Sequence, residues 1–239
     1  MKQAVVTGAA NGIGRASAAA LRESGFSVVE WDLAESTPVD VAKTESVREA
    51  ASRITGKLDA VVLAAGVSRM AALTDTTDDD WHFQMDVNAF GVFNCLRSLA
   101  PLLRDGAAVA VIDSVGGLRG APYLSAYCAS KFAVTGLIES AAPELAIRGI
   151  RINGVCPMFV RTSMETREMK WEADLRGITP EEVFEGYERS TPLGRVAEPE
   201  EIAETVKFLV TEPSRYMTGS MLTVSGGAHL GFTVERTGA

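Results

Sequence analysis

The stretch "VVTGAANGIGRA", residues 5–16, carries an apolar β-branched run into a turn that holds Thr7, Gly8, Gly12 and Gly14, and then into a helical pattern. Glycines at a strand-to-helix turn let the backbone come close to a pyrophosphate, and the helix N-terminus adds free N–H groups and a positive dipole end. The same glycines also serve a tight turn that binds nothing. The spacing differs from the general G-x-G-x-x-G fingerprint.

The rhythm set by this unit repeats along the chain. "SVVEWD", "LDAVVLAAG", "AAVAVIDS" and "IRINGVCP" read as strands, separated by helical patterns at 15–24, 44–55, 79–104 and 127–148, with "EPEEIAETVKFLV" after them. Apolar runs without strict alternation, parted by helices, predict a doubly wound α/β domain: a parallel sheet in a three-layer α/β/α arrangement over residues 1–239. Between Asp32 and Asp40 only seven residues intervene, too few for a crossover helix, so an edge strand there is predicted to be vestigial or missing.

A second break spans residues 159–190, a charged excursion with Trp171, Phe184 and Tyr187 that follows a strand's carboxyl end, where open α/β sheets bind ligands. It reads as a substrate lid or as a packed helical hairpin. "TPEEVFEGY" opens with a capping-box pattern, which predicts a helix. The three aromatics either line an apolar pocket or serve packing.

Composition narrows the function. The chain has 239 residues, 46% hydrophobic, with a net charge of −8 and a pI near 4.9. One large soluble domain is expected, without a nucleic-acid face or affinity for an anionic membrane. Cys95, Cys128 and Cys156 form no metal-ligand spacing and read as reduced core thiols. No secretory signal pattern precedes the first strand, so a cytoplasmic location is expected.

Asp32 lies eighteen residues beyond Gly14 at the end of the second strand. A carboxylate there accepts both ribose hydroxyls of NAD and repels a 2′-phosphate, or it caps a turn. Leu33 follows and no base adjoins; Arg15, beside the glycine loop, is the one residue favouring NADP. In "SAYCASKFAV", residues 125–134, Tyr127 and Lys131 are i and i+4 neighbours on one helix face. An ammonium beside a phenol favours the phenolate, which suits a general acid/base for an alcohol or ketone. Ser114 ends the "AAVAVIDS" strand, where its hydroxyl can meet the phenol over a carbonyl oxygen or merely serve a turn.

Taken together, "TGAANGIG", Asp32, "VDV" at 39–41, "DVNAFG", Ser114, "YCASK" and "CPMFVRT" resemble the short-chain dehydrogenase/reductase family over nearly the whole chain. The resemblance implies a Rossmann-type NAD-dependent oxidoreductase with a catalytic set of Asn88, Ser114, Tyr127 and Lys131. Tyr127 would exchange the proton, Ser114 orient the substrate oxygen, Lys131 bind the nicotinamide ribose and lower the tyrosine's pKa, and Asn88 hold a relay water through its carbonyl. Cofactor contacts are implied at Gly8, Asn11, Gly12, Ile13, Gly14, Asp32, Asp40, Val41, Ala65, Gly66, Pro157, Val160 and Thr162. Leu63, Asp113 and Met158 depart from the family pattern. Asp113 would favour a polyhydroxylated substrate or cap a turn, and Met158 would narrow the site.

For the substrate, "LDAVVLAAGVSRMAALTD" and "TPLGRVAEPEEIAETVKFLV" are similar to the family's 2,3-dihydro-2,3-dihydroxybenzoate dehydrogenases, which oxidise a cyclic carboxylated diol. The lid is instead similar to those of polyol, sugar and hydroxy-acid members. Arg69, with Met70 beside it, is a candidate carboxylate clamp or a solvated or subunit-facing side chain; Arg161 and Arg167 are further candidates for an anion. His82 and His229 read as surface groups, and Asp78 to Asp80 as caps of the helix after them. The resemblance also implies a homo-oligomer, a tetramer, joined through helices at 88–104 and 127–148, with Pro143 kinking the second. A catalytically silent NAD-binding sensor and an NADP-dependent reductase using Arg15 are the competing functions.

Overall fold

The structure, a computed structural model, describes residues 1–231. The expected runs form β1 (Lys2–Thr7), β2 (Phe26–Trp31), β3 (Leu58–Leu63), β4 (Leu103–Ile112) and β5 (Arg151–Pro157), joined by a short β6 (Met221–Val224) that the sequence reading missed. All pair in parallel in the order β2-β1-β3-β4-β5-β6. The order reverses at β1 and β3, so the crevice between their carboxyl ends is a topological switch point.

Alternate residues of the strands feed two cores. Val5, Val61, Val109 and Ile152 face α2 (Thr44–Ser52), α4 (Gly91–Leu99) and α5 (Ser125–Ala146). Ala4, Val6, Ala60, Val62, Ala108 and Ala110 face α1 (Gly12–Glu23) and α8 (Pro199–Val210). The alanines on this second face let α1 and α8 settle closely, and Ala16, Ala20 and Ala203 meet between those helices. Fully buried Leu21 and Leu209 each stabilise this layer by about 1.5–3 kcal/mol.

No strand forms between Asp32 and Asp40, and β2 is the sheet edge, as the short spacing predicts. Val39 and Val41 instead tuck into the core, where Val41 lies so close to Gly91 that a Cβ there would meet its Cγ2 at 2.8 Å. Because that strand is lacking, "CPMFVRT" follows the fifth strand of this sheet.

The helix expected at 79–104 is not one element. It is α3 (Asp78–Gln84), a π-helical turn at Met85–Phe90, α4, and a 3-10 turn at Ala100–Leu102, after which Leu103 and Arg104 already belong to β4. Pro101 in that turn ends the α-helical pattern. Thr77, rather than the aspartates, caps α3 by accepting from the Asp80 N–H at 3.0 Å; Asp78 to Asp80 occupy the first turn and complement its dipole. In α5, Pro143 falls in the last turn and the helix runs through it to Ala146.

The excursion at 159–190 folds as α6 (Ser163–Arg176) and α7 (Pro180–Ser190), with the expected capping box of Thr179 and Glu182 present at α7. The two helices share a small core of Ala173, Val183, Tyr187 and Val196. No helix among the described residues is long and apolar enough to cross a membrane.

Candidate active site

Above the carboxyl ends of the strands, the glycine loop, the segments following β3, β4 and β5, the start of α5 and the α6–α7 hairpin enclose a cleft of about 1070 Å³. All the expected cofactor contacts line it except Asp40 and Val41.

Close approach explains the glycines. A Cβ on Gly14 would lie 2.1 Å from the Gly8 carbonyl oxygen, and one on Gly8, whose φ is +65°, would lie 2.8 Å from the Ala65 backbone. Thr7 holds the two loops together, its Oγ1 accepting from the N–H groups of Ala64 and Ala65 at 3.0 and 3.1 Å. Asn11 precedes α1 without a side-chain cap, and no acidic residue stands in the first turn. That leaves the helix N-terminus with donors for a phosphate.

Asp32 reaches the cleft from the end of β2. Its Oδ2 accepts from the Ala10 N–H at 3.1 Å and its Oδ1 from the Ala34 N–H at 3.0 Å. It thus both braces the glycine loop and caps a turn while lining the cleft. Leu33 is exposed and Arg15, also exposed, does not line the cleft. Asp40 lies outside the cleft lining: its carboxylate accepts from the Ala42 N–H at 3.0 Å and lies 3.2 Å from Lys43 Nζ. Val41 is likewise core, its carbonyl accepting from Asn94 Nδ2 at 2.9 Å. The cradle of glycines, the uncapped helix end and the Asp32 carboxylate fit an adenine dinucleotide.

At the other end of the cleft the structure gathers Asn88, Ser114, Tyr127 and Lys131. The π-helical turn buries Asn88 completely; its Oδ1 accepts from the Val67 N–H at 2.8 Å, and its Nδ2 donates to the Val67 carbonyl and to Ser130 Oγ. It therefore ties the loop after β3 to α5, directly behind Gly66, whose would-be Cβ lies 3.4 Å from Asn88 Oδ1 and 3.9 Å from Lys131 Nζ. Lys131 Nζ donates to the Ile112 carbonyl at 2.9 Å and stands 5.9 Å from the Tyr127 ring centre. Burial pushes its pKa down, an effect that the Asp113 carboxylate opposes.

Burial pushes Tyr127 up, the Glu168 carboxylate adds to this, and the neighbouring Ser114 hydroxyl only partly offsets them. Ser114 also accepts from the Gly116 N–H at 3.0 Å. Asp113 accepts from Thr135 Oγ1 at 2.8 Å and lies under Gly117, where a Cβ would sit 2.7 Å from either carboxylate oxygen. Burial raises its pKa.

Among the substrate candidates, Met70 and Met158 line the cleft and Arg69 does not. Arg69 pairs with Asp80 at 3.1 Å and lies over the Phe83 ring, because the Arg69 N–H is anchored to Gln84 of α3. Arg161 is similarly taken by Glu198 at 2.9 Å and the Phe184 ring, whereas Arg167 lines the cleft. Of the excursion's aromatics Phe159 and Tyr187 do so; Tyr187 stacks on Phe159 at 4.0 Å and donates to Glu172 Oε2 at 2.7 Å. Trp171 and Phe184 do not line it. His82 is exposed on α3, and His229 Nδ1 lies 2.7 Å from Ser225 Oγ. The three cysteine thiols are free and buried.

The sequence reading missed the acidic face of α6. Glu165, Glu168 and Glu172, at i, i+3 and i+7, all line the cleft. That spacing is the signal that would have found them, since it marks one helix face. Burial first, then Glu168, pushes Glu165 up to about 7, and burial also raises Glu168. Tyr123, with a φ of +63°, is a further lining residue that no sequence signal marked.

Comparison with known proteins extends this geometry. Residues 8–229 match the family described as "Enoyl-(Acyl carrier protein) reductase". A 3-oxoacyl-(acyl-carrier-protein) reductase of Thermotoga maritima is 32% identical over 250 residues, covering 95% of this chain and 97% of that protein. Among solved structures, levodione reductase superposes with a TM-score of 0.91 at 26% identity, over 97% of this chain and 98% of that one. The ligand-free aldohexose dehydrogenase of Thermoplasma acidophilum does so at 0.89 and 27%, over 99% and 97%.

Proposed function

The chain belongs to the short-chain dehydrogenase/reductase family, and from that premise we propose that it is an NAD(H)-dependent oxidoreductase interconverting a secondary alcohol and a ketone in the cytoplasm. The observation that carries this is that Ser114, Tyr127 and Lys131 line one cleft together with Asp32.

In the oxidising direction Tyr127 takes the hydroxyl proton while Ser114 holds the substrate oxygen by a hydrogen bond. The bound nicotinamide would accept the hydride that leaves the carbinol carbon. Lys131, held by the Ile112 carbonyl, would bind the ribose hydroxyls, and Thr162, which caps α6, would face the carboxamide. Asn88 contributes by holding the loop after β3 against α5. Buried donors and acceptors fixed in this way need no reorganisation when charge develops on the substrate oxygen.

Asp32 supports NAD over NADP, because an exposed Arg15 outside the cleft lining offers a 2′-phosphate no counter-charge there. The similar proteins' names cover an acyl-carrier-protein thioester, levodione and an aldohexose, so they do not choose a substrate. A carboxylated cyclic diol finds no clamp in Arg69, whose guanidinium is engaged by Asp80. A polyol or sugar is the better-supported class, and a hydroxy acid would rely on Arg167. We also infer a homo-oligomer, a tetramer, because Phe90, Phe93 and Phe132 on the π turn, α4 and α5 are exposed together with Trp81 and Phe83.

The test is NADH formation across cyclic diols, polyols, sugars and hydroxy acids, with NADP in parallel. Tyr127→Phe should lose about 10²-fold or more in turnover while still binding NADH. Near-normal turnover in that variant would remove Tyr127 as the proton carrier, and NADH binding without any Tyr127-dependent chemistry would favour the sensor.

A further inference from the structure

Tyr127, Lys131 and Thr135 stand at i, i+4 and i+8 on α5 and so share one face of that helix. Each meets the segment that carries Ser114. A Cβ on Gly116 would lie 3.2 Å from Tyr127 Cε1 and 3.3 Å from Ser114 Oγ, so the phenol ring and the serine hydroxyl press on the same glycine. Lys131 Nζ donates to the Ile112 carbonyl at 2.9 Å. One turn further along, Thr135 Oγ1 bonds both Asp113 Oδ2 at 2.8 Å and the Gly117 carbonyl at 3.1 Å. The chemistry proposed above uses the first two contacts and leaves the third without a purpose.

Asp113 is 2% exposed, burial raises the pKa of its carboxyl, and its Oδ1 has no hydrogen-bond partner. An apolar side chain there would cost the fold less, so stability does not explain the carboxylate. Its placement does. The Asp113 N–H is fixed to the Val155 carbonyl of β5 at 2.8 Å, and the carboxylate reaches forward beneath Gly117, where a Cβ would sit 2.7 Å from both oxygens. Between these two points lies the 3-10 turn at Val115–Gly117, with Ser114 as its cap, accepting from the Gly116 N–H. A threonine within a helix ordinarily turns its hydroxyl to solvent or back to a carbonyl of its own helix. Thr135 instead donates outward, to the residue before Ser114 and to the last residue of the turn, so the turn is pinned to α5 on both sides of Ser114.

We propose that Asp113 and Thr135 are positioning residues: the hydrogen bond between them and the Thr135 bond to Gly117 clamp the Ser114 turn to α5, and so set the Ser114 hydroxyl in register with the Tyr127 phenol. The carboxylate acts as a hydrogen-bond acceptor and not as a counter-charge to Lys131, whose ammonium is held by the Ile112 carbonyl. Neither side chain takes part in the proton or hydride transfer. A catalytic group displaced by about 1 Å loses about 10²-fold in rate, which is what such a clamp prevents. This rests on the proposed Ser114 and Tyr127 chemistry.

Thr135→Val keeps the shape of the side chain and removes the hydroxyl. With the best substrate of the alcohol panel and NAD, it should lower kcat by about tenfold or more, the size of a buried hydrogen bond, while NADH affinity stays close to the parent's. Thr135→Ser should restore most of that loss. In a Ser114→Ala background Thr135→Val should add little, since the group to be positioned is gone. Asp113→Asn, which keeps an acceptor for Thr135, should recover most of the turnover that Asp113→Ala loses. Hydrogen exchange, which needs no substrate, should show the amides of residues 113–119 exchanging faster in Thr135→Val and at the parent rate in Thr135→Ser. Three results would each overturn the clamp: Thr135→Val costing as much with Ser114→Ala as without it, Asp113→Asn being as impaired as Asp113→Ala, or exchange at 113–119 unchanged in Thr135→Val. Failure of the underlying reaction looks different, because turnover would then survive Tyr127→Phe while the exchange result still judged the clamp.

Discussion

At Tyr127 burial holds the proton on the phenol, and Glu168, Asp113 and Cys128 act in the same direction, against the Ser114 hydroxyl and with Lys131 nearly 6 Å from the ring. Neutralising Glu168 removes the largest of the charge effects. Glu168→Gln should therefore shift the rising limb of kcat/KM for alcohol oxidation to lower pH, measured across about pH 6–10; a limb that stays in place means that Glu168 does not face the phenol. Glu165 makes a matching statement about stability. Its carboxyl is pushed up to about 7 by burial first and Glu168 second, with Glu198 adding and Arg161 and the Val160 N–H opposing. A carboxyl whose folded pKa exceeds its unfolded value favours the native state only while protonated, so stability falls as pH rises from about 4.5 to 7 and then levels off. Glu165→Gln should accordingly be worth on the order of 2 kcal/mol at pH 8 and close to nothing at pH 4. Equal thermal shifts at both values would contradict this. Asp32 was legible from its distance to the glycine loop, but Arg69 was not, because a sequence cannot show that Asp80 and Phe83 of α3 take hold of it.

Elements whose ends carry their own chemistry were legible as well. The Thr179–Glu182 box starts α7 where its spacing says it should, and Thr179→Ala should cost about 1 kcal/mol, seen as faster amide exchange in the first turn of α7. At the glycine loop, Gly14→Ala would drive a Cβ into the Gly8 carbonyl, so NADH affinity should drop by about tenfold or more while the circular dichroism of the helices persists. An unchanged affinity would show that the loop does not hold the pyrophosphate. Other elements escaped the sequence. The π-helical turn at Met85–Phe90 has no distinctive residue pattern, since it arises where Asn88 is pulled inward to bond Val67 and Ser130. β6 is four half-buried residues whose pairing with β5 lends it order that its own composition does not.

For the whole molecule, Trp81, Phe83, Phe90, Phe93 and Phe132 are exposed aromatics on neighbouring elements, the kind of surface that an interface between chains covers. Sedimentation at micromolar concentration should show an assembly of four chains, and a clean monomer would overturn that expectation. The sequence by itself determined the layered parallel sheet, the shortened edge after β2, the glycine cradle with Asp32, and the Ser114, Tyr127 and Lys131 set. These follow from local patterns: strand and helix periods, the count of residues available for a crossover, and the i, i+4 register of one helix. Only the tertiary structure decided that Arg69 is held by Asp80 and Phe83, that Val41 packs in the core against Gly91, and that Glu165, Glu168 and Glu172 of α6 line the cleft beside Tyr127. Each of those depends on which distant side chain arrives beside a group and how much water it displaces, and desolvation and through-space charge have no signature in sequence order.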